Sequence, residues 1–196
     1  MSTAEAQYNA FVGIQNLDLP TQKPTAWVQA GYMEWRIEGS TSSARFLYIE
    51  WKDAPDATPY ILPLVDQYYV APPAEGTVNH YELVREAAAN GWAFYYNSAL
   101  TVRPYAPGWQ ASDGSWATWE TEILKRETDM PGTVNNPCEF TSCGYKLAGS
   151  GFTGAAFNSN DVIGCSGIAG NPKQWDCSYS PGGNTWYVWD VSPLVP

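Results

Sequence analysis

Apolar and polar residues alternate along most of the first two thirds of the chain, and a period of two marks strands that bury one face. This pattern predicts strands near 8–15, 26–38, 45–52, 66–71, 78–87, 92–97, 100–103, 116–125, 143–148 and 185–191. Asn90-Gly91 lies between the alternating runs Val78–Arg85 and Trp92–Tyr96. Asn-Gly suits a type I′ turn, so a hairpin is predicted there. Glu86-Ala87-Ala88-Ala89 spans one helical turn without caps, too little to nucleate a helix, and reads as strand end or loop. Asp53 to Pro63 contains Pro55, Pro59 and Pro63, which excludes a central strand and predicts an exposed loop.

The same period assigns side chains to faces. In 26–38, Trp27, Gln29, Gly31, Met33, Trp35 and Ile37 share one side, opposite Val28, Ala30, Tyr32, Glu34, Arg36 and Glu38. In 45–52, Phe46, Tyr48 and Glu50 lie opposite Leu47, Ile49 and Trp51. In 116–125, Glu120, Glu122 and Leu124 lie opposite Trp119, Thr121 and Ile123, so parity does not separate the two glutamates. Gln29 and Glu50 thus each share a face with large apolar residues. A polar group withdrawn from water costs a few kcal/mol unless it is hydrogen-bonded, so these positions call for partners or a function.

Ten Trp, thirteen Tyr and six Phe, with fifteen Pro and seventeen Gly, fit an all-β chain rich in turns. At 196 residues it is expected to form a single domain, 1–196, with a Cys-containing, loop-rich region from about 133. Ten basic against twenty acidic residues give a formal charge of −10 and a pI near 4.4, which argues against nucleic acid or an anionic membrane as partner. No run of 18 apolar residues is present to span a bilayer. Cys138, Cys143, Cys165 and Cys177 allow three pairings; the simplest, Cys138–Cys143 with Cys165–Cys177, implies an oxidising compartment. Met1-Ser2 reads as a start added to a mature secreted chain. A lone histidine, His80, and no Cys-x-x-Cys argue against zinc, and His80 reads as a surface or pairing residue.

Four short segments occur in a telling order: Phe11-Val12-Gly13-Ile14-Gln15, Val28-Gln29-Ala30-Gly31, Ile49-Glu50-Trp51-Lys52-Asp53-Ala54-Pro55-Asp56 and Thr118-Trp119-Glu120-Thr121-Glu122. They resemble the Trp-Val-Gly-Ile-Asp, Leu-Gln-Thr-Gly, Tyr-Glu-Trp-Tyr-Pro-Asp and Glu-Trp-Ile-Val-Glu segments of glutamic peptidases of the eqolisin type. Glu122-Ile123 followed by Met130-Pro131-Gly132 is also similar to the wider neprosin-like group, and favours Glu122 over Glu120. The resemblance covers roughly 10–132. Phe11 and Gln15 stand where the eqolisins carry Trp and Asp.

The resemblance implies a concanavalin A-like jelly-roll β-sandwich of two antiparallel sheets and a secreted, monomeric acid endopeptidase that needs no cofactor or metal. It assigns Gln29 and Glu122 as the catalytic pair. Glu50, Glu120, Phe11, Gln15 and Trp27 become supporting or substrate-binding residues. Hydrolysis of an amide by such a pair needs a base for the water and a neutral donor for the oxyanion, which a carboxylate and a primary amide supply. A glutamate with an ordinary pKa of about 4.3 remains partly ionised in acid. Two other readings stay open. One is a jelly-roll glycosidase with Glu50 and Glu122 as paired carboxylates, and the other a carbohydrate-binding sandwich that uses exposed Trp and Tyr as a stacking platform. The same glutamates also fit a solvated stripe opposite Trp119 and Ile123.

Overall fold

A computed structural model describes residues 4–18, 23–37, 43–64, 74, 76–86, 91–102, 115–123, 132–133, 135–145, 153–154 and 175–190. The chain forms two compact units, 1–122 and 123–196. In the first run β1 (Ala4–Asp18), β2 (Lys23–Ile37), β3 (Ser43–Lys52), β4 (Tyr60–Leu64), β5 (Tyr81–Glu86), β6 (Gly91–Tyr96), β7 (Ala99–Val102) and β8 (Ser115–Ile123). The described residues include no helix. Five strands make one sheet in the order β4-β3-β2-β1-β8, and β5-β6-β7 make another.

The two sheets pack through one face of each. Val28 and Ala30 of β2, Leu47 and Ile49 of β3, and Trp92 and Phe94 of β6 form one buried cluster, with Ile14, Tyr32, Trp51, Tyr81, Leu83 and Tyr96 around it. Burying each large side chain contributes about 1.5–3 kcal/mol, and this layer holds the sandwich together. The opposite face of the five-stranded sheet carries a second buried cluster, Phe11, Met33, Phe46 and Tyr48. The registers β1–β2 and β2–β3 run without a shift across Gly13–Gln29–Glu50 and Phe11–Gly31–Tyr48. Gly31 makes the second row possible: a Cβ there would lie 2.0 Å from the carbonyl oxygen of Ala10 and 2.7 Å from Cα of Phe11.

Two expectations from the sequence need correction in this unit. Tyr60–Leu64 is a strand, with Pro63 opposite Tyr48 at the edge of the sheet, where a missing N–H removes no ladder bond; the loop ends before Tyr60. The hairpin β5–β6 pairs Glu86 with Gly91, so Gly91 belongs to a strand and Asn90-Gly91 is no two-residue turn. Arg85 ties this end by donating from Nη1 to the carbonyls of Glu86 (3.0 Å) and Gly91 (2.9 Å). The two-residue turn with positive φ at both centres, 49° and 66°, is Asn97-Ser98, which connects β6 to β7 with Tyr96 opposite Ala99. Its Asn97 Oδ1 accepts from the backbone N–H of His80 at 2.8 Å, which compensates for serine where glycine would be easier. The strand expected at 66–71 lies outside the described residues.

The second unit contains β9 (Gly132–Thr133), β10 (Asn136–Phe140), β11 (Gly144–Tyr145), β12 (Thr153–Gly154), β13 (Trp175–Tyr179) and β14 (Trp186–Asp190). A four-stranded sheet runs β10-β9-β14-β13, β10 also pairs with β14, and β11 pairs with β12. Rings of Phe140 and Trp186 stack at 4.5 Å where β10 meets β14. Cys138 and Cys143 are thiols, not a bridge. β10 runs extended from Cys138 to Phe140, and the backbone N–H of Cys143 is held by the carbonyl of Asn184 at 3.0 Å, so the chain turns away from Cys138. Cys177 is disulfide-bonded, and Cys165, its expected partner, lies outside the described residues.

Burial pushes the Cys143 thiol up to about 12. An unfolded thiol ionises near 8.5 while the folded one keeps its proton, so this residue's contribution to stability is intact below that pH and is lost as pH rises towards 12. Ellman titration of the native protein at pH 8 is expected to leave Cys143 unreacted. In guanidinium, Cys138→Ser and Cys143→Ser should each lower the thiol count by one; a count that rises by one, from the partner set free, would restore the bridge. Gly31→Ala should cost about 3 kcal/mol in urea denaturation, because the methyl meets backbone. A midpoint equal to wild type would mean that β1 and β2 are not in this register.

Candidate active site

The polar centre of the five-stranded sheet is assembled by its register. Gln29 on β2 stands directly opposite Glu50 on β3, and the amide nitrogen Nε2 of Gln29 donates to Oε2 of Glu50 at 2.9 Å. Both residues are half-buried, on the face that carries Phe11, Met33, Phe46 and Tyr48. On the other flank Gln29 stands opposite Gly13 of β1. Beyond Gly13, Thr118 of β8 reaches in, its Oγ1 only 2.8 Å from where a Cβ on Gly13 would be. On the side away from Gln29, Glu50 faces Ile61 of β4. One row, Gly13–Gln29–Glu50–Ile61, therefore crosses four strands, and Thr118 of β8 contacts its β1 end.

This row is an acceptor carboxylate and a donor amide set between residues of small or apolar bulk. A glutamine NH₂ has two hydrogens, and the bond to Glu50 uses one and fixes the rotamer. The second can serve a ligand. The charge-assisted bond is stronger than one between neutral groups, which suits it to hold an amide in place.

Of the other residues singled out by sequence, Phe11 is only 3 % exposed and supports the face from within the cluster. Gln15 and Trp27 stand opposite each other one row beyond Gly13 and Gln29, both half-buried. Glu120 and Glu122 lie on β8, in the same sheet as Gln29 with only β1 between. Their side chains lie outside those described. His80 is exposed. Exposed aromatic rings among the described residues are Tyr60 and Tyr145, one in each unit, which makes no flat row for stacking a sugar. No group of three or more His, Cys, Asp or Glu among the described residues is placed to hold a metal ion. Thr118 was missed by sequence reasoning, because its contact with Gly13 depends on β8 lying beside β1 in the sheet.

No protein-family model matches the chain, and a search of curated proteins finds no match. Among solved structures, the aspergilloglutamic peptidase from Aspergillus niger superposes with a TM-score of 0.58 over 94% of this chain and 99% of that one, at 17% identity. The chain has a glutamic peptidase-like fold. Near-complete coverage of both chains makes the likeness one of whole architecture, and an all-β sandwich is what the sheets of this chain build. At 17% identity the glutamic peptidase-like fold fixes the scaffold, and the chemistry rests on the side chains present here.

Removing the carboxylate tests the central bond. Glu50→Ala leaves a half-buried amide hydrogen without its acceptor and should lower stability by about 1–3 kcal/mol, read from the thermal midpoint. Glu50→Gln keeps an acceptor oxygen and should recover most of that loss. Equal midpoints for Glu50→Ala and wild type would show that the bond does not hold Gln29.

Proposed function

We propose that this protein is a secreted acid endopeptidase of the glutamic type, acting on protein or peptide as a monomer, with Gln29 and Glu122 as the catalytic pair. The observation that carries the reading is the Gln29–Glu50 hydrogen bond, set in a sheet that also contains β8, within a glutamic peptidase-like fold. Glu122 takes a proton from water as its oxygen attacks the scissile carbonyl carbon. The oxyanion that forms accepts the second amide hydrogen of Gln29. Protonated Glu122 then passes its proton to the leaving nitrogen as the C–N bond breaks, and the carboxylate is restored. Glu50 orients the donor and touches no reacting atom.

The register adds a constraint. Thr118 is the β8 residue beside Gly13, and at about 3.4 Å per residue Glu120 lies roughly 7 Å and Glu122 roughly 14 Å further along the strand. The motif supports Glu122 and the register favours Glu120 as the nearer carboxylate, so the two are tested together. A glycosidase pairing of Glu50 with Glu122 has less support, because Glu50 is already engaged by the amide of Gln29.

Digestion of denatured casein from pH 2 to 7 is the test. The rate should be bell-shaped with both limbs below neutrality, because the base must be ionised while a neighbouring carboxyl, Glu120, holds a proton. Pepstatin should have no effect, as the eqolisin resemblance implies. Glu122→Gln should abolish turnover with the fold retained, and Gln29→Ala should lower the rate by about 10²–10³. Full activity in Glu122→Gln with loss in Glu120→Gln would move the base to Glu120. Full activity in both would end the glutamic mechanism.

A further inference from the structure

On the Gln29 face burial falls along the strands. The row Phe11–Gly31–Tyr48 is sealed, with Phe11 and Tyr48 3 % and 0 % exposed. In the next row Gln29 and Glu50 are half-buried, and in the row after that so are Gln15, Trp27 and Lys52. Register sets these three side by side: Gln15 on β1 stands opposite Trp27 on β2, and Trp27 opposite Lys52 on β3. Period two puts them on the same face as Gln29 and Glu50, about 7 Å further along the strands. The β3–β4 ladder ends at Trp51 and Tyr60, so no strand residue flanks Lys52 on its outer side.

Among the described residues, none of the three side chains makes a hydrogen bond or ion pair, and none of their polar atoms is sealed from solvent. Nearby polar groups are matched within the sheet: Gln29 donates to Glu50, and Arg45 to Glu34 at 2.7 Å. The carboxylates nearest Lys52 in the chain do not neutralise it. Asp53 and Asp56 are exposed in the loop after β3 with no bond to Lys52, and Glu50 is engaged by Gln29. What the row presents is donors. An indole N–H and an ammonium donate and accept nothing, and the glutamine adds an NH₂. The Trp27 ring between the other two is a flat apolar wall. A ligand that suits all three has an anionic tip on an aliphatic stem, and in a peptide that is the side chain of glutamate or aspartate.

We propose that Gln15, Trp27 and Lys52 form a subsite for an acidic side chain of the substrate, with Lys52 setting the preference. This rests on the peptidase reading, from which the substrate class is taken. The Lys52 ammonium and the Gln15 amide hold the carboxylate, and the methylene stem lies on the Trp27 ring. An extended peptide advances about 3.4 Å per residue, so a substrate lying along β2 with its scissile bond at Gln29 brings to this row the side chain two residues from that bond. The eqolisin segment Tyr-Glu-Trp-Tyr-Pro-Asp has tyrosine where this chain has Lys52, so the charge is a property of this chain.

The probes are C-terminally amidated peptides built on a casein bond that the wild-type enzyme cuts, with Glu or Gln two residues from that bond on either side. They are assayed at about pH 5, where a glutamate of ordinary pKa near 4.3 is mostly ionised. A contact made equally in ground and transition states appears in KM. At one of the two positions the wild type should give a KM roughly three- to tenfold lower with Glu than with Gln. Salt at about 0.5 M should narrow that gap. Lys52→Gln should bring the ratio of the two KM values to about one, and Lys52→Arg should keep it. A wild type that cuts the Glu and Gln peptides alike, or a Lys52→Gln variant that retains the preference, overturns the subsite while the peptidase reading stands. A change of KM in Lys52→Gln that is equal for both peptides and comes with a lower thermal midpoint would make the role structural and overturns it as well. A wild-type protein that cleaves nothing overturns both.

Discussion

Everything at the centre of the sheet follows from one requirement, that an amide placed among buried rings must have an acceptor. Both faces of the five-stranded sheet are covered by apolar clusters, so Gln29 cannot be treated as an ordinary solvated strand residue. Glu50, directly across on β3, meets the requirement with a charge-assisted bond at 2.9 Å. The pairing works only in one register, since a slip by one residue would send both side chains to opposite faces. Hydrogen bond, register and the two core layers are therefore mutually dependent. That coupling lets a marginal, half-buried polar pair persist in a core of tyrosine, phenylalanine and methionine.

Much of this was legible because period two is a property of the residue, independent of its partner. Gln29 and Glu50 were placed on apolar faces by parity alone, and β1, β2, β3, β6 and β7 lie close to their expected positions. Pairing was not legible. Nothing in Tyr60–Leu64 shows that its proline falls on an edge, where the missing N–H is harmless. The hairpin error has a similar source. Asn90-Gly91 has strong local turn chemistry, yet Arg85 and the cross-strand partners of Trp92 and Phe94 fix a register that leaves Gly91 inside the strand. Local propensity lost to tertiary packing there.

The C-terminal unit was the least legible part. The strand expected at 185–191 is β14, Trp186–Asp190, but β10 and β13 are five residues each, too short for a period to stand out against Gly, Ser, Asn and Pro. The cysteine arithmetic failed for one of its two pairs. Closeness in sequence suggested a Cys138–Cys143 bridge, but Cys138 is held in β10 and a backbone bond to Asn184 holds Cys143. Spacing shows which bridges are sterically possible; the course of the backbone decides which occur.

The candidate site shows the opposite balance, with residue types legible and their distances not. Glutamine, glutamate and glycine were all visible in ordered motifs, but parity treats Glu120 and Glu122 alike, and only a register distinguishes them. The contact between Thr118 and Gly13 supplies that register. Along β8 from Thr118, Glu120 comes before Glu122, so the carboxylate nearer the donor amide is not the one the motif favours.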